Sequence, residues 1–275
     1  MAWSANIVSA ALKLHPRPGY PPHAQDLDLT NQTTQRTWIS GWVFHPLFLL
    51  GAWLAAAVAL AFDPHDRADW ALENILSALF VLVLWLTRRK FPFSRISYTL
   101  FFLFLTLHVL GAHYTYSEVP YDEWSTAWFG GSISDLFGFE RNHYDRLVHF
   151  LYGFLLSYPM REVFVRIAGV RGFWGYCLPL MMTMASSCLY EIIEWIAALV
   201  VGGDLGAAYL GTQGDEFDAQ KDMALATFGT VLSLVVVAVI HKRVAHDFQA
   251  EWAESLRVKR ARPMGEVAIA EQKSP

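Results

Sequence analysis

Apolar runs of membrane-spanning length recur along this chain, separated by shorter polar stretches. They fall near residues 41–62, 70–88, 95–112, 145–167, 173–201 and 222–241. Each is long enough to cross a hydrocarbon core of about 30 Å as an α-helix. The run at 173–201 would extend about 43 Å at helical rise, so it must tilt or protrude. The pattern predicts an all-α fold: a polytopic membrane protein built as a six-transmembrane-helix bundle. No tandem repeat of useful period appears.

The polar segments give the bundle its orientation. Lys13, Arg17 and Arg36 precede the first run; Arg88, Arg89, Lys90 and Arg95 separate the second from the third. Arg161, Arg166 and Arg171 lie around the fourth connection, and Lys242, Arg243, Arg257, Lys259, Arg260 and Arg262 follow the last run. The loops 63–69, 113–144 and 202–220 are poor in Lys and Arg. Basic loops face the cytoplasm, so both termini should be cytoplasmic and the acidic loops external, which in a bacterium means periplasmic. Residues 1–40, with Pro16, Pro18, Pro21 and Pro22, read as a flexible cytoplasmic arm. Residues 41–242 form the membrane domain. The tail at 243–275 mixes Trp252, Leu256 and basic residues as an amphipathic interfacial stretch, then becomes disordered from about 261.

Composition agrees with the pattern. The 275 residues are 54% hydrophobic, with 11 Trp, 19 Phe and a mean hydropathy of +0.29, more apolar than most soluble domains. The net charge of −4 offers no footprint for nucleic acid. Cys177 and Cys188 fall on one predicted helix, about 16 Å apart, too far to bridge. The N-terminus has no basic region ahead of its short apolar run, so no cleavable signal peptide is evident. The implied location is the bacterial inner membrane, as a multi-pass protein with membrane lipids as its first partners.

Candidate chemistry enters with the charges that lie inside or beside the apolar runs. Asp145 and His149 open the fourth, one turn apart on one face. Glu191 and Glu194 interrupt the fifth. Asp215, Asp218 and Asp222 lead into the sixth, at spacings that make one stripe if the helix starts before Asp215. His113 lies at the outer end of the third. The topology gathers all of these at the outer leaflet. Charges there cost several kcal/mol each unless protonated, paired or bound to a cation. Pairing could come from Arg141, Arg146 or Lys221. Carboxylates with one or more histidines suit zinc, manganese or iron better than calcium. The candidate metal ligands are Asp145, His149, Glu191, Asp215, Asp218 and Asp222, with Glu194 or His113 as general base.

Plainer readings stand beside this one. Asp145–Arg146 also fits a helix cap with an interfacial anchor. His108 on its aromatic helix fits a hydrogen-bonded core histidine, and His113 an ordinary interfacial residue. Asp215, Glu216 and Asp218 taken alone fit a solvated loop. Arg161 and Glu162 fit an anchor pair at the inner end of the fourth helix. Glu191 and Glu194 are harder to explain away, and several such readings must hold together to dissolve the cluster.

The strings LHVLGAHYTYSEVP (107–120), NHYDRLVHFLYGF (142–154), YEIIEW (190–195) and YLGTQGDEFDAQKDM (209–223) resemble the YjdF-like family of bacterial inner-membrane proteins. The resemblance spans roughly residues 40–240 and implies a six-helix inner-membrane protein. It supplies no catalytic assignment. A shorter similarity is to VanZ-like proteins: Asp145, Arg146, His149 and Phe150 match their first motif, Glu191 a second, and Asp218, Asp222 and Gly229 a third.

Three classes of function follow. The first is a metal-dependent enzyme, a hydrolase by default, acting on a lipid or lipid-linked substrate at headgroup depth. The second is an ion- or proton-coupled transporter, although no inverted repeat or broken helix pair is visible. The third is a non-catalytic protein that binds a metal ion or a lipid headgroup. Nothing in the sequence specifies the oligomeric state.

Overall fold

The computed structural model describes residues 29–203, 206, 210, 212–244, 247–259 and 265, with side chains from Phe44 onward. The chain divides into two units at Phe44/His45. The second unit, His45–Pro275, holds every helix but the beginning of the first.

The helices whose bounds fall among the described residues are α1 (Leu29–Leu60), α2 (Arg67–Thr87), α3 (Arg95–His113), α4 (Tyr121–Phe129), α5 (Ile133–Phe137), α6 (Tyr144–Ile167), α7 (Trp174–Val201), α8 (Asp218–Val244) and α9 (Phe248–Ser255). No strand occurs among the described residues. α2, α3, α7 and α8 are each long and apolar enough to cross a membrane. The part of α1 from Phe44 to Leu60 is apolar but shorter. α6 is 24 residues long but carries more charge.

The helix boundaries follow local chemistry. Asp66 caps α2, its Oδ1 accepting from the amides of Ala68 at 2.7 Å and Asp69 at 3.0 Å. Ser94 caps α3 through the amide of Ser97 at 3.2 Å. Both bonds satisfy donors that a helix start leaves open. α1 begins at Leu29, inside the stretch read as an arm, because no Gly or Pro interrupts residues 29–40. The remainder of the arm, with its four prolines, and nearly all of the tail beyond 260 lie outside the described residues. The external stretch 113–144 contains two short helices, α4 and α5, which end at Gly130 (φ 77°) and Gly138 (φ 68°). Glycine supplies that left-handed geometry without steric cost.

α6 is the centre of the bundle and packs against α3, α7 and α8. Its contact with α8 is a backbone seam. A Cβ on Gly153 would lie 1.8 Å from the Ala226 carbonyl, and one on Gly229 would lie 2.1 Å from the Phe150 carbonyl. Small residues of this kind let membrane helices approach closely. On the other flank, Phe101 of α3 packs with Leu155 and Leu156 of α6. Trp53 of α1 packs against Leu105 and Val109 of α3. The opposite faces are exposed and apolar: Ile75, Leu79 and Leu86 on α2, Leu189, Ile196 and Leu199 on α7, and Val235 and Val239 on α8. Those are the faces a bilayer would cover.

At the far end of α6, Glu162 does not pair with Arg161. Its carboxylate accepts from the Ser94 amide at 2.9 Å and pairs with Arg166, tying α6 to the start of α3. Arg161 instead lies over the Tyr176 ring at 4.8 Å. The amphipathic stretch expected near 243–260 includes α9, where Trp252 meets Phe173 and Tyr176 at the start of α7.

Candidate carboxylate and histidine centre

The α6–α8 seam determines where the acids meet. Asp145 and His149 stand one turn apart at the start of α6, and Asp218 and Asp222 one turn apart at the start of α8. The close approach at Gly153 and Gly229 draws these two turns together. Donor atoms of Asp145, His149 and Asp222 all lie within 4.8 Å of one another. α7 adds Glu191, whose Oε1 lies 3.7 Å from His149 Nε2, while Asp145 Oδ1 lies 3.6 Å from the same nitrogen.

These separations exceed hydrogen-bond length. They match two donors sharing one ion: ligands about 2.0–2.2 Å from a metal sit about 3–4 Å apart. His149 and Asp222 are buried. Asp222 Oδ1 and Glu191 Oε1 are buried and have no hydrogen-bond partner among the described residues. A buried carboxylate oxygen without a partner is costly, so this donor set suits a divalent cation.

Above this group lies a rim of ion pairs. Asp218 Oδ1 accepts from Arg141 at 2.8 Å and lies 3.2 Å from Arg146. Asp215 pairs with Arg146 and Lys221. The single stripe Asp215–Asp218–Asp222 does not form, because α8 starts at Asp218. Gln213 (φ 47°) and Gly214 (φ 85°) turn the chain just before, leaving Asp215 in the turn and facing the cations. Hydrogen bonds from Lys221 and from the Phe217 amide hold the Asp215 carboxyl well below the usual carboxylate range. Asp215 and Asp218 thus serve the rim, and Asp222 lies beneath it.

A second acidic layer comes from α2. Asp69 and Glu73 are both buried. Tyr190 of α7 donates to Glu73 Oε2 at 3.3 Å. Glu73 lies within electrostatic reach of Asp69 and Asp145, and Glu194 within reach of Glu73, Asp145 and Glu191. His108 bridges this layer to the outer loop. Its Nε2 bonds the Glu73 carbonyl at 3.1 Å, and its Nδ1 bonds the Tyr116 hydroxyl. A carbonyl can only accept, so Nε2 carries the proton and Nδ1 accepts from tyrosine. His108 is therefore a hydrogen-bonded core histidine.

The structure thus brings Asp145, His149, Glu191 and Asp222 together, sets Glu194 on their α2 side, and places Asp215 and Asp218 in the rim. His113 is not brought in. Its Nδ1 donates to the Leu60 carbonyl at the end of α1, at 2.8 Å, and its ring packs edge-on against Tyr114. Asp69 and Glu73 are the acids that sequence reasoning missed. Their signal was available: the same i,i+4 spacing as Asp145/His149, at the same end of the bundle by topology.

A bundle of long apolar helices with carboxylates gathered at one end defines an integral membrane protein. Residues 45–243 match the family model described as "Predicted membrane protein (DUF2238)". The Inner membrane protein YjdF of Escherichia coli (strain K12) is 34% identical over 211 residues, covering 74% of this chain and 95% of that protein. This chain belongs to that family of inner-membrane proteins. The match bears out the YjdF-like resemblance; neither comparison carries the VanZ-like one. No solved structure matches the chain.

Proposed function

We propose that the protein is a membrane-embedded, metal-dependent enzyme acting at the outer leaflet on a lipid or lipid-linked substrate, with hydrolysis as the reaction class. The observation that carries the reading is the donor set of Asp145, His149 and Asp222 within 4.8 Å, with buried oxygens of Asp222 and Glu191 lacking hydrogen-bond partners among the described residues. In this reading these four residues hold zinc, manganese or iron. α1 and α6 join the four apolar helices to make six spans over residues 41–242, with the N-terminal arm and the tail in the cytoplasm and the centre at the periplasmic side.

A bound divalent cation supplies Lewis acidity and lowers the pKa of a coordinated water toward 7. The residues of the chain do the rest. His149 and the three carboxylates would hold the ion. Glu194, beside Glu191, would accept a proton at its carboxylate as general base. Arg141 and Arg146 hold Asp218 and face a substrate headgroup.

The second reading, an ion- or proton-coupled carrier, is favoured by the chain of acids running from Asp145 through Glu194 and Glu73 to Asp69. A third, metal or headgroup binding without turnover, uses the same centre. Metal analysis of the purified protein separates them first. Near-stoichiometric metal in the wild type, lost in His149→Ala and Asp222→Asn, is the expected result. A wild type that stays metal-free after loading with zinc, manganese and iron overturns the metal reading. Flux in proteoliposomes that stops with Glu191→Gln decides for the carrier. Orientation is tested with a single cysteine at position 216, after Cys177 and Cys188 are replaced by alanine. Labelling from outside is expected; labelling from the cytoplasm refutes the topology.

A further inference from the structure

The stretch between α3 and α6 carries a surface that the acidic centre does not use. Its two short helices form a built hairpin. The Asp122 carboxylate accepts from the Ser132 hydroxyl at 3.0 Å and the Ser134 amide at 2.9 Å, clamping α4 to α5. The hairpin is also fixed to the start of α6. The Tyr121 hydroxyl accepts from the His143 amide at 3.1 Å, and Asn142 Nδ2 donates to the Val119 carbonyl at 2.9 Å. The Phe139 ring stacks on His143, with centroids 4.0 Å apart. On the inner side, Tyr121 and Trp124 pack against a core that holds Ala112 of α3 and Val148 of α6. The hairpin therefore sits at the level of the last turn of α3 and the first turns of α6.

The outward side is apolar. Trp128 (75% exposed) and Phe129 (84%) close α4, and Leu136 (77%) and Phe137 (65%) close α5. Between Glu123 and Glu140 the only ionisable side chain is Asp135. Large apolar groups held rigidly in the open mark a contact surface. Position and chemistry both fit a bilayer as the cover. α3 is long and apolar enough to cross a membrane, so its end, and the hairpin beside it, stand near the hydrocarbon boundary. Apolar exposure continues down the bundle from there, at Leu147 on α6 and Leu103 on α3. Trp, Phe and Leu are also the side chains that short interfacial helices bury at the headgroup and acyl boundary. A second copy of the chain fits less well. At about 150–250 Å² for a large side chain, four exposed to this degree offer about 450–750 Å², short of the about 800 Å² per partner of a stable dimer.

We infer that the α4–α5 hairpin is an interfacial anchor whose Trp128, Phe129, Leu136 and Phe137 insert among the headgroups and upper acyl chains of the leaflet at that end of the bundle. The attraction is burial of apolar surface, so it asks for no particular headgroup charge. Seated in this way, the hairpin sets the depth of the start of α6, where Asp145 and His149 stand. Its bonds to Asn142 and His143 transmit that depth directly. The anchor is independent of any ion at the centre and of any reaction there.

The test is spin labelling of the full-length protein in phosphatidylcholine nanodiscs, after Cys177 and Cys188 are replaced by alanine. Labels go one at a time on Trp128→Cys, Phe129→Cys, Leu136→Cys and Phe137→Cys, with Glu123→Cys and Glu140→Cys as exposed controls on the same stretch. Collision with oxygen, which concentrates in lipid, is compared with collision with a water-soluble nickel chelate. The four apolar positions should favour oxygen several-fold more than the two controls. Chelate access equal to that of the controls means that the surface faces water and overturns the inference. Shielding from both reagents, with dipolar broadening between labels on two chains, means that a second copy covers it and also overturns the inference. Trp128→Asp combined with Phe129→Asp then tests anchoring itself. Both side chains are exposed, so the unfolding temperature in detergent should match the wild type, while the label at position 137 should gain chelate access several-fold. A label that does not respond shows that packing alone holds the hairpin at its depth, and the anchor is refuted.

Discussion

Gly153→Ala tests the seam on which the centre depends. The added Cβ would lie 1.8 Å from the Ala226 carbonyl oxygen, and real Cβ atoms essentially never approach within 3.0 Å. The neighbour is helix backbone, so it cannot swing aside. α6 and α8 must separate locally by about 1.2 Å, or one of them must bend. Overpacking of this kind costs about 1–3 kcal/mol. The effect on the centre should be larger than the effect on the fold, because metal sites tolerate ligand displacements of only about 0.2 Å. Asp145 and His149 lie on one side of the seam and Asp222 on the other. The assay is thermal unfolding in detergent together with metal content, with Gly51→Ala as the control, since nothing lies within 4 Å of a Cβ there. Gly153→Ala should unfold at lower temperature and lose its metal, and Gly51→Ala should match the wild type. A Gly153→Ala protein with unchanged stability and full metal would refute the close approach and the argument that it assembles the ligands.

Two further predictions concern groups around the centre. The Asp215 carboxyl is held below its ordinary value of about 3.9 by Lys221 and the Phe217 amide. Its stabilisation is therefore complete above that value and fades as pH falls below about 4. Asp215→Asn should flatten the acid limb of a stability–pH curve and leave little change in its slope above pH 6; an unchanged acid limb would count against the rim pairing. Tyr116→Phe removes the donor to His108 Nδ1 and leaves a buried acceptor unpaired, at about 1–3 kcal/mol. Denaturant unfolding should register that loss, and a neutral result would mean that the Tyr116–His108–Glu73 chain is not formed.

The apolar runs marked α2, α3, α6, α7 and α8 to within a few residues, because lipid-facing helices carry their signal in length and hydropathy alone. The i,i+4 pair at Asp145/His149 was equally plain. Three things were harder. Asp215 sits in a turn because of the backbone at Gln213 and Gly214, and spacing counts cannot see a helix start shift by three residues. Glu73 lies in a strongly apolar helix, and although its i,i+4 spacing from Asp69 is visible in the sequence, its partners Tyr190 and His108 come only with the packing of α2 against α3 and α7. The α4–α5 hairpin hides in a long polar stretch, although the Ser132 cap and the glycines at 130 and 138 mark its ends. Tertiary placement chose among readings that local pattern left open, most visibly for His108, which turned inward to Tyr116, and His113, which turned to α1.

The glycine seam also bears on how the chain is made. The centre draws on residues from Asp69 to Asp222, and α8 leaves the ribosome after the other helices that supply them. Until it arrives, α6 presents Gly153 and the face carrying Asp145 and His149 to lipid or to a stand-in partner. A nascent chain stalled before residue 218 would therefore carry Asp145 and His149 without the helix that covers them from the seam side. Docking of α8 is the step that brings Asp222 to Asp145 and His149.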